Sequence, residues 1–167
     1  VGRGVVASND GTYIYINGKG TGEFVTTTKP AKVLSRFGDT QIDTAQSKFS
    51  GGSILFDGTQ DNLQVPADAD FGFGTANWTL EAFIRPTSVS GTQRIFDLRN
   101  ASATDTAPTL YMNGTALHYA VGNSSQISGG TLAINTWYHV AVSRSAGTTR
   151  LFLDGTELGS SYTDTND

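Results

Sequence analysis

The sequence predicts an all-β protein: an antiparallel two-sheet β-sandwich of the jelly-roll type, preceded by a β-rich N-terminal attachment segment. The composition is the first indication, because 20 glycines, one methionine and only 16% charged residues are typical of short strands joined by tight turns. The second is that no apolar pattern with the helical period persists along the chain. The third is a succession of short apolar runs at intervals of roughly 8–12 residues, the spacing of sandwich strands.

The size and charge of the chain restrict its partners and its chemistry. A chain of 167 residues suits one domain that buries roughly two-thirds of its unfolded surface. The absence of cysteine excludes disulfides, zinc sites built on thiolates and a cysteine nucleophile. A net charge of −4 with scattered Lys and Arg argues against a nucleic-acid partner. No apolar run approaches the ~20 residues of a membrane-spanning helix, so we expect no membrane insertion.

Residues 1–30 differ from the rest of the chain and are predicted to form the attachment segment, which the sandwich follows at 31–167. Residues 12–16 are a short β-rich run, the Asn17-Gly18 pair favours a type I′ turn, and residues 24–28 fit the returning strand. A single hairpin is only marginally stable alone. We therefore expect this segment to pack against identical subunits or other proteins.

Residues 31–50 are predicted to be a connector without regular structure, and the strands of the sandwich come after it. The first two predicted strands, 54–56 and 62–65, form a hairpin around a turn at 57–61. Further strands are predicted at 78–85, 94–98, 109–112, 116–121, 130–134, 137–144 and 150–153. Asp154 and Gly155 then provide a hairpin turn signal.

Two of these predicted strands indicate how the sheets are covered. In the strand at 78–85, Trp78 and Leu80 share the parity that is apolar throughout, so we expect them to face the core. In the strand at 137–144 both alternate sets are largely apolar, which favours a strand covered on both faces.

Three stretches of the chain together resemble a known family. They are GGSILFDGTQDNLQVP at 51–66, NWTLEAFIRP at 77–86 and NTWYHVAVSRSAGTTRLFLDGTELG at 135–159. In this order and spacing they resemble the laminin-G-like group of the concanavalin A-like lectin/glucanase superfamily, over about residues 41–159. The pattern that closes the family's domain, G-x-I-D-E-V-x-I, is not found before Asp167. We therefore expect the family's last strand to be missing from this stretch and the sheet to be completed from elsewhere.

Because this superfamily includes glycosidases, the resemblance raises the question of catalysis. Retaining hydrolysis needs two carboxyl groups about 5–5.5 Å apart, which the E-x-D-x-E pattern of the related glucanases supplies from alternate residues of one strand. No such pattern occurs here, since Glu81 is flanked at two positions by Thr79 and Phe83. Glu81 is instead expected to pair with Arg85. We expect a protein that is not an enzyme, with a glycan-cleaving enzyme as the alternative.

Sugar binding, which the resemblance implies, needs an aromatic platform with planar amides beside it. Strand parity supplies candidate aromatic residues, and the loops supply candidate asparagines. The candidate ligand-binding residues are Phe83, Tyr111, Tyr119, Asn100, Asn113 and Asn123.

Calcium is a common cofactor in the family that the sequence resembles, and it takes about six to eight oxygen ligands. Four aspartates lie close together in the sequence and are the candidate ligands: Asp57, Asp61, Asp68 and Asp70. Aspartate is also a common turn former, because its side chain bonds its own backbone, and the EF-hand spacing is absent. We expect no cofactor, with Ca²⁺ as the alternative.

The connector QIDTAQSKFSGG at 41–52 is similar to versions found in bacteriophage virion proteins. This resemblance implies a non-enzymatic structural and recognition module at the virion surface, such as a fibre, spike or capsid-decoration protein. Its partners would be a host-surface glycan and, through residues 1–30, other virion proteins or identical subunits. The alternative to the virion is a bacterial cell-surface adhesion domain in an extracellular location.

Overall fold

The computed structural model describes the backbone of residues 3–9, 12–19 and 23–25, and residues 33–68, 71–99 and 106–165 with their side chains. The chain divides into two compact units, Val1–Ala69 and Asp70–Asp167. No helix in the described ranges is long and apolar enough to cross a membrane.

The described part of the first unit consists of antiparallel strands. Five of them form a sheet in the order β1-β2-β3-β4-β7, and two form a separate hairpin, β5-β6. The strands are β1 Arg3–Asn9, β2 Thr12–Lys19, β3 Glu23–Val25, β4 Val33–Phe37, β5 Gln41–Asp43, β6 Ser53–Leu55 and β7 Asn62–Gln64.

The turn predicted at the Asn17-Gly18 pair is wrong. Both residues lie inside β2, where they are opposite Val25 and Phe24 of β3. Asn17 is also opposite Arg3 of β1. An Asn-Gly pair favours a turn locally, but strand partners on both sides of β2 hold this one extended. The returning strand predicted at 24–28 is confirmed in part, as the shorter β3.

The predicted hairpin of strands 54–56 and 62–65 is wrong in its pairing, although both strands exist. β6 pairs with β5 and β7 pairs with β4. The predicted connector at 31–50 therefore contains the two strands that supply these partners. Between β6 and β7 the chain forms a wide loop that is fastened by Asp61, whose Oδ2 accepts a hydrogen bond from the N–H of Asp57 at 2.7 Å.

The second unit is a sandwich of two four-stranded antiparallel sheets, with the orders β15-β14-β13-β8 and β12-β11-β10-β9. The predicted fold class is thus confirmed. The strands are β8 Trp78–Ile84, β9 Thr92–Asp97, β10 Pro108–Asn113, β11 Ala116–Val121, β12 Ser124–Gly129, β13 Tyr138–Ser145, β14 Thr148–Leu153 and β15 Thr156–Thr163.

Alternate residues of these strands fill the core of the second unit. The buried side chains include Trp78, Leu80, Leu110, Met112, Leu117, Tyr119, Val140, Val142 and Leu151. The inward parity predicted for Trp78 and Leu80 is confirmed. The ring of Trp78 lies 5.4 Å from that of Phe73 and 6.3 Å from that of Tyr119, so aromatic packing links β8 to β11 across the core.

One strand of the smaller sheet lies where none was predicted. Residues 130–134 were predicted as a strand, but they have no regular structure, and β12 precedes them. The sequence of β12 is SSQISG, in which only Ile127 is buried. An edge strand needs few apolar residues, so its composition resembles that of a loop.

Two tight turns join β13, β14 and β15. Ala146 and Gly147 have φ angles of 47° and 76°, and Asp154 and Gly155 have φ angles of 48° and 80°. These left-handed values are those of type I′ hairpin turns. Oδ1 of Asp154 also accepts a hydrogen bond from the N–H of His139 at 2.7 Å. The hairpin turn predicted at Asp154 and Gly155 is confirmed.

Candidate functional site

A shallow depression of about 190 Å³ lies on the outward face of the sheet β12-β11-β10-β9. Side chains alternate along β10, so that Leu110 and Met112 are buried in the core while Thr109, Tyr111 and Asn113 share the opposite face. The lining residues are Thr92, Arg94, Arg99, Thr109, Tyr111, Asn113, Ala120, Gly122 and Asn123.

The aromatic part of this face is a stacked pair of rings. Tyr111 and His118 are directly opposite each other on β10 and β11, and their rings are nearly parallel, with centroids 5.0 Å apart and an angle of 6°. Nδ1 of His118 lies 3.1 Å from Oγ of Ser125 on β12. Burial lowers the pKa of His118, so the imidazole is neutral at neutral pH. Each ring therefore covers one face of the other, and Tyr111, which lines the depression, offers its remaining uncharged ring surface.

The polar part of the depression is organised by a pair of charged residues at the end of β9. Arg99 donates two hydrogen bonds to the carboxylate of Asp97, both at 2.8 Å. Its Nη1 donates to the carbonyl oxygen of Gly122 at 3.1 Å and to Oδ1 of Asn123 at 2.5 Å. Hydrogen bonds from Arg99 hold the pKa of Asp97 below its usual value. The end of β9 is thereby fastened to the turn between β11 and β12.

Arg94 contributes a second guanidinium to the same network. Its Nε lies 3.3 Å from Oδ2 of Asp97, and its side chain is 47% exposed. Oγ1 of Thr109 donates a longer hydrogen bond, 3.3 Å, to Oδ1 of Asp97. Two arginines and a threonine thus share one carboxylate.

The structure brings together three of the sequence-predicted ligand residues, Tyr111, Asn113 and Asn123, in the lining of this depression. It places Tyr119 elsewhere: the side chain is 1% exposed and lies in the core, with its hydroxyl 3.4 Å from Oδ2 of Asp164. Burial raises the pKa of Tyr119, so the phenol stays protonated. No ligand on the outward face could reach this residue.

The register of the hairpin β10-β11 explains why His118, and not Tyr119, accompanies Tyr111. Asn113 pairs with Ala116, so the turn consists of Gly114 and Thr115. Across a turn of two residues, the odd-numbered residues of β10 lie opposite even-numbered residues of β11. Tyr111 therefore shares the outward face with His118, while Tyr119 faces the core.

Phe83 belongs to the other sheet of the second unit. It lies on β8, is 40% exposed, and its ring centroid is 4.9 Å from that of His139 on β13. Nε2 of His139 lies 3.3 Å from Oε2 of Glu81. Glu81 thus pairs with His139 and not, as expected from the sequence, with Arg85. Asn100 is outside the described residues.

The arginines of the depression are the residues that the sequence-based candidate set missed. Arg94 precedes Asp97 by three residues in the sequence, and Arg99 follows it by two. This spacing was the available signal, since residues 97 and 99 of an extended segment lie on one face. Thr92, Thr109 and His118 carry no signal that distinguishes them from the other polar residues of the strands.

A cluster of three carboxylates occupies the first unit. Asp39, Asp57 and Asp61 each place an oxygen within 4.8 Å of the others. Oδ1 of Asp61 accepts a hydrogen bond from the N–H of Asp39 at 2.9 Å, and Oδ1 of Asp57 accepts one from the N–H of Thr59 at 2.7 Å. The charges of Asp57 and Asp61 raise the pKa of Asp39, whereas backbone hydrogen bonds, chiefly from Asp57, lower the pKa of Asp61.

The cluster includes two of the four predicted calcium ligands. Asp57 and Asp61 are joined there by Asp39, which was not predicted, while Asp68 is exposed and outside the cluster. Asp70 is outside the described residues. Calcium takes about six to eight oxygen ligands. The hydrogen bonds that Asp57 and Asp61 accept from the backbone already give both residues a structural role, which is to hold the loop between β6 and β7 in place.

Comparison with known proteins gives one result that bears on function. A family model of the laminin G type, described as the concanavalin A-like lectin/glucanases superfamily, matches residues 57–167. No curated protein and no solved structure matches the chain significantly. The matched range includes every strand of the sandwich, β8 to β15, and this fold suggests carbohydrate binding or a glycan-related function. The chain belongs to the concanavalin A-like lectin/glucanases superfamily.

Proposed function

We propose that this protein is a non-enzymatic carbohydrate-recognition module that binds a sugar in the depression on β9, β10 and β11. The observation that carries the proposal is the combination of the Tyr111 ring, which His118 supports by stacking on it, with the amides of Asn113 and Asn123 in one concave site. Sugars present an apolar ring face and a periphery of hydroxyl groups. A flat aromatic ring covers the first, and planar amides donate to and accept from the second.

The arrangement of the two amides fits an oligosaccharide more closely than a single sugar. Asn113 ends β10, and Asn123 lies in the turn after β11. The face between Thr109 and Asn113 extends four residues along β10, or about 13 Å at the usual rise of a strand. A short glycan chain lying along β10 would contact Tyr111 in its middle and an amide near each end.

We propose a non-enzymatic role because of where the acidic groups lie and how they are paired. No carboxylate is among the described residues that line the depression. Asp97, which pairs with two of the lining residues, is held by Arg99 and Arg94. Glycoside hydrolysis in most families uses two carboxyl groups that flank the scissile bond, one of them protonated, whereas the arginines lower the pKa of Asp97. A glycan-cleaving enzyme remains the alternative, and release of reducing ends from a bound oligosaccharide would favour it.

The substitution Tyr111→Ala tests the proposed site. A glycan array identifies a ligand for the wild-type protein, and calorimetry measures its affinity for both forms. We expect the variant to bind about tenfold or more weakly, because truncating a central aromatic anchor typically costs more than 1 kcal/mol. Phe83→Ala is the matched control, since it removes an exposed ring from the other sheet of the same unit.

Two outcomes of this experiment contradict the proposal. Absence of binding to any glycan by the wild-type protein removes the proposed function. Loss of binding in the Phe83→Ala variant, with Tyr111→Ala unaffected, transfers the site to the face of β8 and β13. Thermal unfolding of both variants establishes that they are folded.

The setting that we propose for this module is the surface of a bacteriophage virion, as part of a fibre, spike or capsid-decoration protein. The support is the likeness of the segment at 41–52 to segments of virion proteins. Recognition of host-surface glycans is a role that suits a lectin-like fold in that place. A bacterial cell-surface adhesion domain is the alternative setting for the same binding activity.

A further inference from the structure

The depression carries an excess of positive charge on a protein whose net charge is −4. Arg94 and Arg99 both line it, and one carboxylate, that of Asp97, pairs with both. His118 is neutral at neutral pH, because burial lowers its pKa. The described residues of the site therefore carry one more positive than negative charge, in a partly enclosed surface where electrostatic interactions are stronger than in open water.

The two arginines differ in what they have left to offer a ligand. Arg99 uses Nε, Nη1 and Nη2 in hydrogen bonds with Asp97, Gly122 and Asn123. Arg94 contacts Asp97 through Nε, at 3.3 Å, and its side chain is 47% exposed. Its two Nη groups make no hydrogen bond with any described residue. The positive charge that has no matching carboxylate among the described residues of the site therefore lies at the outer end of Arg94.

The sheet register brings this guanidinium beside the aromatic surface. Arg94 of β9 and His118 of β11 are the two residues directly opposite Tyr111 of β10. The Cβ atoms of directly opposed residues are about 4.5–5.5 Å apart. A sugar ring that rests on Tyr111 thus has Arg94 at one margin. The substituent on the exocyclic carbon of a pyranose lies at the margin of the ring, within reach of that side chain.

We propose that the depression selects a glycan that carries a carboxylate, such as one containing uronic acid residues, and that the Nη groups of Arg94 bind this carboxylate while the sugar ring rests on Tyr111. The inference rests on the proposed function, since it specifies the ligand of the same site. A planar guanidinium donates two parallel hydrogen bonds to a planar carboxylate. A tetrahedral sulfate group can also accept two hydrogen bonds from a guanidinium, so a sulfated sugar is the competing ligand that the test has to separate.

The test compares ligands that differ in their acidic group. The probes are an oligogalacturonate, its full methyl ester and a sulfated oligosaccharide of the same length that has no carboxylate. Binding of each probe to the full chain is measured by calorimetry. We expect the wild-type protein to bind the acid about tenfold more tightly than the ester, as a hydrogen-bonded charge typically provides. Raising the salt concentration should reduce this preference, because exposed charges are screened.

Variants of Arg94 assign the preference to that residue. Arg94→Gln should bind acid and ester equally. Arg94→Lys keeps the charge but loses the paired donors, so it should retain only part of the preference. Arg150→Gln is the matched control, because Arg150 is an exposed arginine of the other sheet, 41% exposed and paired with Glu157, and its loss should leave the preference unchanged.

The outcomes separate this inference from the proposed function. Equal binding of acid and ester by the wild-type protein, with loss of both in Tyr111→Ala, overturns the inference and leaves the proposed function standing. Equal binding of the sulfated probe and the uronate overturns the assignment of a carboxylate. Unchanged selectivity in Arg94→Gln also overturns it. Absence of binding to every glycan removes the proposed function and the inference together.

Discussion

Arg144 of β13 shows how a single charged residue can hold the interior of the second unit together. Its side chain is 3% exposed. It donates hydrogen bonds to the carbonyl oxygens of Thr75, of Ala76 at 2.8 Å and of Asp164 at 3.0 Å. Its Nε lies 3.8 Å from the carboxylate of Asp164. One guanidinium thereby satisfies backbone groups before β8 and after β15, which no apolar residue could do.

Replacing Arg144 by methionine should lower the free energy of unfolding by about 3 kcal/mol, because it leaves a buried carboxylate and several carbonyl groups without this partner. Arg150→Met is the matched control. Arg150 pairs with Glu157 at 3.6 Å on the exposed face, and exposed ion pairs contribute at most about 1 kcal/mol. Chemical denaturation measures both variants. Similar losses of stability in the two would contradict the role assigned to Arg144.

The face of the sheet on which a candidate site residue lies was predictable only where a turn or strand parity determined it. Tyr111, Asn113 and Asn123 could be predicted, because the first lies in a clear strand and the others flank turns. Tyr119 was assigned to the wrong face, because parity within one strand does not say which of its two faces is outward; the cross-strand pairing of Tyr111 with His118 does. The hydrogen bonds of Arg99 with Gly122 and Asn123 depend on proximity between the end of β9 and the turn after β11, which no single-strand pattern reveals.

At the scale of elements, the hairpins β13-β14 and β14-β15 define the architecture of the larger sheet. Both turns have two residues with positive φ, so the register of three consecutive strands follows from two short stretches of sequence. Ala146 is an unusual residue for such a turn. An L-residue with a side chain is strained at φ of 47°, whereas glycine or asparagine is not.

Ala146→Gly should therefore stabilise the protein, by about 0.5–1 kcal/mol, since it removes strain in the left-handed conformation. Its N–H, which donates to Oδ1 of Asn77 at 2.9 Å, is retained in the variant. Ala116→Gly is the control, because Ala116 lies in β11 and glycine in a strand is destabilising by a similar amount. Thermal unfolding should shift in opposite directions for the two variants. Destabilisation by both would exclude strain at position 146.

The strands that the sequence predicted best have apolar residues on one whole parity, as in β8, or are bounded by strong turns, as in β11 and β14. Those it missed have other sources of stability. β4 has one buried residue, Leu34, and forms because β3 and β7 pair with it. β12 likewise has one buried residue, Ile127. Pairing with neighbouring strands decides such strands, and their own apolar pattern does not reveal it.

At the scale of the whole molecule, the two sheets of the second unit have chemically different outward faces. The smaller sheet carries two arginines, a ring pair and amides. The larger sheet carries Phe83, His139 and Glu81, which contact one another. The sequence predicted the sandwich and its core from periodicity and turns. It did not predict this difference, because the side chains that share a face depend on the pairing register between strands, as between β9 and β10, where the register shifts beside Tyr111.

The virion setting has a consequence for the assembly state. Homo-oligomers of soluble proteins have closed symmetry, and residues 1–30 are the segment predicted to attach to identical subunits. We expect light scattering coupled to size exclusion to give a mass of at least twice 17.6 kDa, in a whole number of chains and constant over a wide concentration range. A monomer at every concentration would count against the virion setting and in favour of the adhesion domain.

The hydrogen bonds of Arg99 have a further consequence, for the entropy and kinetics of binding. The amide of Asn123 is already immobilised by a guanidinium that is itself fixed on Asp97. A ligand that contacts this amide does not have to order it, a cost of about 0.5–1.5 kcal/mol for a mobile side chain. Pre-ordered groups of this kind lengthen the residence time of a complex more than they accelerate its formation. The hydrogen bonds of Arg99 with Asn123 and Asp97 therefore favour slow dissociation of the proposed glycan complex.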